Sequence, residues 1–167
     1  MAIIYVNGDA TDPSAVAVGT NKFVIAHVVN SAGGWGCGFV VSLSKRWKSP
    51  ELQYRELAKN DGLQLGEVQF VECNDNTVVA NMVAQDGYAR NGEPPIRYKA
   101  LKACLNKVRQ YAHDNGASVH MPRIGCGLAG GKWSEIEPII EEALDGIDVY
   151  VYDFVSKDPM VSIKWNK

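Results

Sequence analysis

Cysteine is scarce and scattered: Cys37, Cys73, Cys104 and Cys126 stand singly among 167 residues, with no CxxC pair at metal-ligand spacing. No zinc site or disulfide framework is therefore expected. Excess charge of either sign is also missing. The formal net charge of −2 removes any general electrostatic attraction to nucleic acid. Lys45, Arg46 and Lys48 are the one basic cluster; on a helix they read as a solvated face, and no RNA-binding aromatic motif lies beside them. No apolar run is long enough to span a bilayer, so no membrane partner is expected. Met1 opens directly into the strand-like AIIYV without a basic stretch, a long apolar run or a small-residue cleavage site, and the expected location is a reducing cytoplasm. Three common catalytic signatures are absent as well. There is no GxxxxGK[ST] loop, no GxGxxG in an initial strand–helix–strand unit and no GxSxG elbow. Nucleoside triphosphate hydrolysis, hydride transfer on a dinucleotide and serine acyl transfer therefore rank low.

What is present is an ordinary globular composition, 46% hydrophobic and 22% charged, long enough for one domain with a substantial core. Strand-like runs at Ile3–Val6, Lys22–Val29, Val68–Cys73, Thr77–Val83, Ser118–Met121 and Asp148–Phe154 are set off by turn residues. Asn74-Asp75-Asn76 signals a hairpin between the third and fourth. Helical sequence resumes at Phe39 and again at Pro50, continues in a long helix over Arg97–Asn115, and returns over Trp133–Leu144. In the long helix Ala100, Leu101, Cys104, Leu105, Val108 and Ala112 recur at the spacing of a core stripe. Strands alternating with helices predict a three-layer α/β fold around a mixed central sheet of about six strands. Residues 1–155 form the domain, and the tail 156–167 is either an added edge strand or a frayed end.

Two glycine loops dominate this frame. AHVVNSAGGWGCG, residues 26–38, leaves the second strand with four glycines in six residues at Gly33, Gly34, Gly36 and Gly38; RIGCGLAGG, residues 123–131, leaves the fifth. Without Cβ atoms such loops let a ligand approach their N–H groups, which the following helix makes electropositive. In α/β sheets ligands bind beyond the carboxyl ends of the strands. Both loops follow strands, so they can close on one anion from two sides, and a diphosphate suits the pair. Asp9, after the first strand, reads either as a turn cap or as an acceptor for the amino group of a base. Without further context His27 reads as a satisfied histidine at a strand end. Trp35 and Trp133 read as walls. The loop Ala84–Pro95 has the composition of a site wall or lid.

The joint order GDAT, HVVNSAGGWGCG, HMPRIGCGLAGGKW and VYDF resembles the macro domain family over about the first 155 residues, within the branch of ADP-ribose-1″-phosphate phosphatases and ADP-ribose glycohydrolases. The resemblance implies a three-layer αβα macro domain and, as partner, ADP-ribose or a derivative, an ADP-ribosylated macromolecule being a further candidate. It implies no cofactor. It places Asp9 and Ala10 at the adenine, Tyr152 or Phe154 against the ring, and Gly36, Cys37 and Gly38 with Ile124, Gly125, Cys126, Gly127 and Leu128 around the diphosphate. Asn30 falls beside the distal ribose and His27 at the position of a histidine in the phosphatase-like members. The lysine and acid used by glycohydrolases of this branch are replaced by Gln85 and Ala129. A covalent lysine–ribose step is thereby unsupported, and water is the expected nucleophile, with Asn30 and His27 as catalytic candidates and Asp86 a weaker third. A non-catalytic ADP-ribose reader is the alternative.

Overall fold

The computed structural model describes residues 3–17, 19–88 and 93–153. Six strands form one sheet: β1 (Ile4–Asn7), β2 (Phe23–Asn30), β3 (Val68–Asn74), β4 (Thr77–Gln85), β5 (Ser118–Met121) and β6 (Val149–Asp153). Their spatial order is β1-β6-β5-β2-β4-β3, every pair parallel except the β3–β4 hairpin. The expected mixed sheet is therefore present, with its predicted hairpin at residues 74–76. Four helices flank it: α1 (Phe39–Arg46), α2 (Ser49–Lys59), α3 (Tyr98–Asn115) and α4 (Trp133–Ala143).

Side-chain alternation along each strand assigns the layers. On β2, Val24 and Ala26 join the core built with α3 and α4, while Ile25 and Val29 join the core built with α1 and α2. The six stripe residues predicted on α3 are all buried, packed with Ile136 and Ile140 of α4. Leu101, Leu105 and Val108 each contribute roughly 1.5–3 kcal/mol on burial. Gly116 ends α3 in the left-handed region at φ 61° and returns its N–H to Ala112 and His113 carbonyls, the usual glycine stop. β4 runs two residues further than the alternation suggested, through Ala84 and Gln85. The reason is an irregularity against β2: Val29 pairs with Val83 but Asn30 with Gln85, so Ala84 is the extra residue of a bulge. The readings placed on the tail 156–167 and on Phe154 lie outside the described residues. Among the described residues no helix is long and apolar enough to cross a membrane, and no group of three His, Cys, Asp or Glu is placed to hold a metal ion.

Candidate active site

Because β5 lies beside β2 and parallel to it, the two glycine loops leave the sheet at the same edge. Between them opens a cavity of about 510 Å³, within the range of small-ligand sites. The first loop is bolted down from below and from the side. Asn30 Oδ1 accepts from the N–H groups of Ala32 (2.9 Å) and Gly34 (3.1 Å), and its Nδ2 donates to the Gly34 carbonyl (2.9 Å). Tyr54 of α2 donates its hydroxyl to the Asn30 carbonyl at 2.6 Å. Arg55, paired with Glu51 one turn earlier, donates to the Trp35 carbonyl at 2.9 Å, and the Trp35 indole donates to Ser44 of α1. Gly38 then enters α1 at φ 85°, ψ −143°, backbone that only glycine adopts readily.

The second loop is tied to both its neighbours. Arg123 grips Asp153 at the end of β6 with two bonds, 2.7 and 3.0 Å, and its guanidinium lies over the rings of Tyr5 and Trp133 at 5.1 and 5.2 Å. The Gly131 N–H closes the loop on the Gly125 carbonyl at 2.8 Å, and Ile96 N–H reaches the Ala129 carbonyl at 3.2 Å. Gly125 has φ 75°, and a side chain at Gly131 would strike the Gly125 carbonyl oxygen at 2.5 Å. These two glycines are required by the loop itself.

Gly36 is different. A Cβ there would meet nothing within 4 Å, and its φ is not positive, so the protein places no steric demand for glycine at this point. It lines the cavity. Among the described residues, the N–H groups of Gly36, Cys37, Gly38, Gly125 and Cys126 donate to no protein acceptor, and all five residues line the same cavity. The site thus presents backbone donors from two sides, one set at the N-terminus of α1, an arrangement that seats anionic oxygens.

The residues singled out in the sequence separate into three groups. His27, Asn30, Gly36, Cys37, Gly38, Ile124, Gly125 and Cys126 line the cavity. Gly127 and Leu128 belong to the 3₁₀ turn Gly127–Ala129, of which Ala129 lines the cavity. Asp9, Ala10 and Tyr152 stand apart from the lining. Asp9 Oδ1 is held in a turn by the Thr11 N–H (2.8 Å) and hydroxyl (2.7 Å), while Oδ2 has no protein partner among the described residues, so both readings of Asp9 are compatible with its geometry. Tyr152 is 1% exposed, and its hydroxyl lies 2.7 Å from His120 Nδ1. Its ring belongs to the core and offers no open face to a ligand, which corrects the expectation that it packs a base. Phe154, the other candidate for that role, lies outside the described residues.

Among the described residues the cavity lining contains no Lys, Arg, Asp or Glu; Asp86 pairs instead with Arg97 at 3.4 Å. Burial pushes the His27 pKa from 6.5 down to about 4, only partly offset by its bond to Asn81. Burial likewise pushes the Cys126 thiol up to about 11, where it stays protonated and is a poor nucleophile. Gln85 donates its amide to the Gly87 carbonyl at 2.9 Å. Four supporting residues were missed in the sequence: Tyr54, Arg55, Asn81 and Tyr88. Arg55 carried a faint signal in the Glu51–Arg55 spacing, and Asn81 a stronger one as a lone amide in the apolar run TVVANMVA. Tyr88 covers Gly34 so closely that a Cβ at Gly34 would fall 2.0 Å from its hydroxyl.

A mixed three-layer sheet whose adjacent parallel strands deliver two donor-rich glycine loops to one cavity defines an α/β protein built to hold an anionic ligand on its backbone. The Macro domain family matches residues 26–140, and the chain belongs to that family. It is 34% identical over 163 residues to chromodomain-helicase-DNA-binding protein 1-like from Mus musculus, covering 92% of this chain but only 18% of that relative's length. It is 24% identical over 161 residues to ADP-ribose 1″-phosphate phosphatase from Lodderomyces elongisporus, covering 91% of this chain and 98% of that protein. A solved structure of a Bacteroides thetaiotaomicron protein of unknown function superposes with a TM-score of 0.86 at 50% identity, over 92% of this chain and 98% of the other.

Proposed function

We propose that this macro domain binds ADP-ribose, with the diphosphate on the N–H groups of residues 36–38 and 125–126, and hydrolyses a group from the distal ribose of an ADP-ribose derivative, the 1″-phosphate being the first to test. The observation that carries the reading is the pair of unpartnered donor sets facing one cavity. The full-length similarity to an ADP-ribose 1″-phosphate phosphatase supports the choice of ligand and leaving group. Two phosphates seated there exchange solvent donors for fixed ones, and fixed donors that meet developing charge lower a barrier without reorganisation. In the hydrolysis one water adds across the 1″ ester, yielding ADP-ribose and inorganic phosphate. Attack by water is favoured over a covalent lysine–ribose intermediate, because among the described residues the lining contains no lysine.

A specific observation favours a second reading, a reader without turnover. The Asn30 amide is used at both ends to fold its own loop, which leaves it little capacity to orient a reacting group. Phosphorus NMR of ADP-ribose-1″-phosphate with the protein distinguishes the two. Enzyme-dependent release of phosphate is expected for the hydrolase; shifted diphosphate resonances without release point to a reader or to another ADP-ribosyl linkage; unshifted resonances at saturating protein refute the ligand.

A further inference from the structure

One polar side chain in the cavity wall is left unexplained by a diphosphate seat. His27 is 2% exposed, lines the cavity and is wedged edge-on against Trp35 at 5.4 Å and tilted against Phe39 at 5.8 Å. Its Nε2 lies 2.5 Å from Asn81 Oδ1. Asn81 sits beside it in register on β4 and is fully buried.

The hydrogen-bond network assigns the tautomer. Asn81 Nδ2 donates to Gln69 Oε1 at 3.0 Å and to the Pro50 carbonyl at 3.2 Å. The Gln69 amide is itself oriented, because its Nε2 donates to the Gln53 carbonyl at 2.9 Å. Two acceptors therefore fix the Nδ2 end of Asn81, and its oxygen faces His27. A carbonyl oxygen only accepts, so the His27 proton resides on Nε2, and Nδ1 carries a lone pair. Among the described residues Nδ1 has no protein partner. A buried acceptor left unpaired is destabilising, and a donor in the cavity would relieve it.

We propose that Asn81, oriented by Gln69, is a positioning residue that holds His27 as an acceptor at Nδ1 for a ligand hydroxyl or a ligand-held water. The inference rests on the ADP-ribose reading and adds an orientation to it. A phosphate oxygen only accepts at neutral pH and is repelled by that lone pair, so the ribose hydroxyl end belongs beside His27 and the diphosphate away from it.

Nitrogen-15 long-range NMR of the histidine rings, with and without ADP-ribose, tests this on the unmodified protein. His27 is expected as the Nε2–H tautomer in the free protein, and saturating ADP-ribose is expected to shift Nδ1 in the direction of an accepted hydrogen bond. An Nδ1–H tautomer overturns the assignment, as does an Nδ1 resonance that stays fixed while the amides of residues 36–38 shift. If neither those amides nor Nδ1 respond, the ADP-ribose reading falls along with the inference. Asn81→Leu is expected to mix the tautomers and weaken ADP-ribose on the order of tenfold, the worth of one hydrogen bond. A purely structural Asn81 would lower stability and leave the tautomer and the Nδ1 response unchanged. Should that variant not fold, the unmodified protein's spectra still decide.

Discussion

Acidification provides a sharp test of the packing. His27 and His120 lie on the same face of the sheet, both almost wholly buried, one bonded to Asn81 and the other held between Ser118 and Tyr152 at 2.7 Å on each side. Burial depresses both pKa values from 6.5, to about 4 for His27 and about 3 for His120. The fold accepts only the neutral rings, whereas the unfolded chain takes up a proton on each as pH falls below 6.5. Stability is therefore complete above that point and declines towards the folded pKa values. At about pH 5, some 1.5 units below the unfolded value, each ring costs about 2 kcal/mol and the pair about 4 kcal/mol. Carboxylates, with ordinary values near 4, contribute mainly below this window. Urea unfolding followed by tryptophan fluorescence at about pH 7.5 and about pH 5 measures the difference. His27→Gln or His120→Gln should each reduce the loss to about 2 kcal/mol, since the sites are separate. A wild-type protein equally stable at the two pH values, or a double variant that keeps the full loss, would refute the burial argument.

Gly36→Ala should leave the unfolding transition unchanged, because a Cβ there meets no protein atom, while calorimetry records about a tenfold loss of ADP-ribose affinity from a crowded phosphate seat. Gly131→Ala should do the reverse first, destabilising by about 1–3 kcal/mol in chemical denaturation through its collision with the Gly125 carbonyl. Gly34→Ala displaces the Tyr88 hydroxyl; Tyr88 is 55% exposed and free to give way, so stability should hold while the tyrosine's own NMR signals move. Arg123→Met removes both bonds to Asp153, and hydrogen exchange at residues 124–131 should accelerate, with a stability cost on the order of 1 kcal/mol.

Much of this protein is written locally. Turn residues and the periods of 2 and 3.6 mark the strands and helices to within a residue or two, because they depend on neighbours along the chain. The identity of Gly38 as a helix entry and the α3 stripe follow from the same local rules. The sequence also exposed two glycine loops after strands, and their order along the chain pointed to the family. It left undecided whether those loops meet. That required β5 to lie next to β2, a pairing of residues 95 apart in sequence that no local pattern encodes. Side-chain roles were less legible still. Asn30 spends its amide on its own loop, Tyr152 turns into the core, and His27 takes its tautomer from Asn81 on another strand. A polar side chain's chemistry is set by whichever partners share its low-dielectric surroundings, and only the register of distant strands brings those partners together.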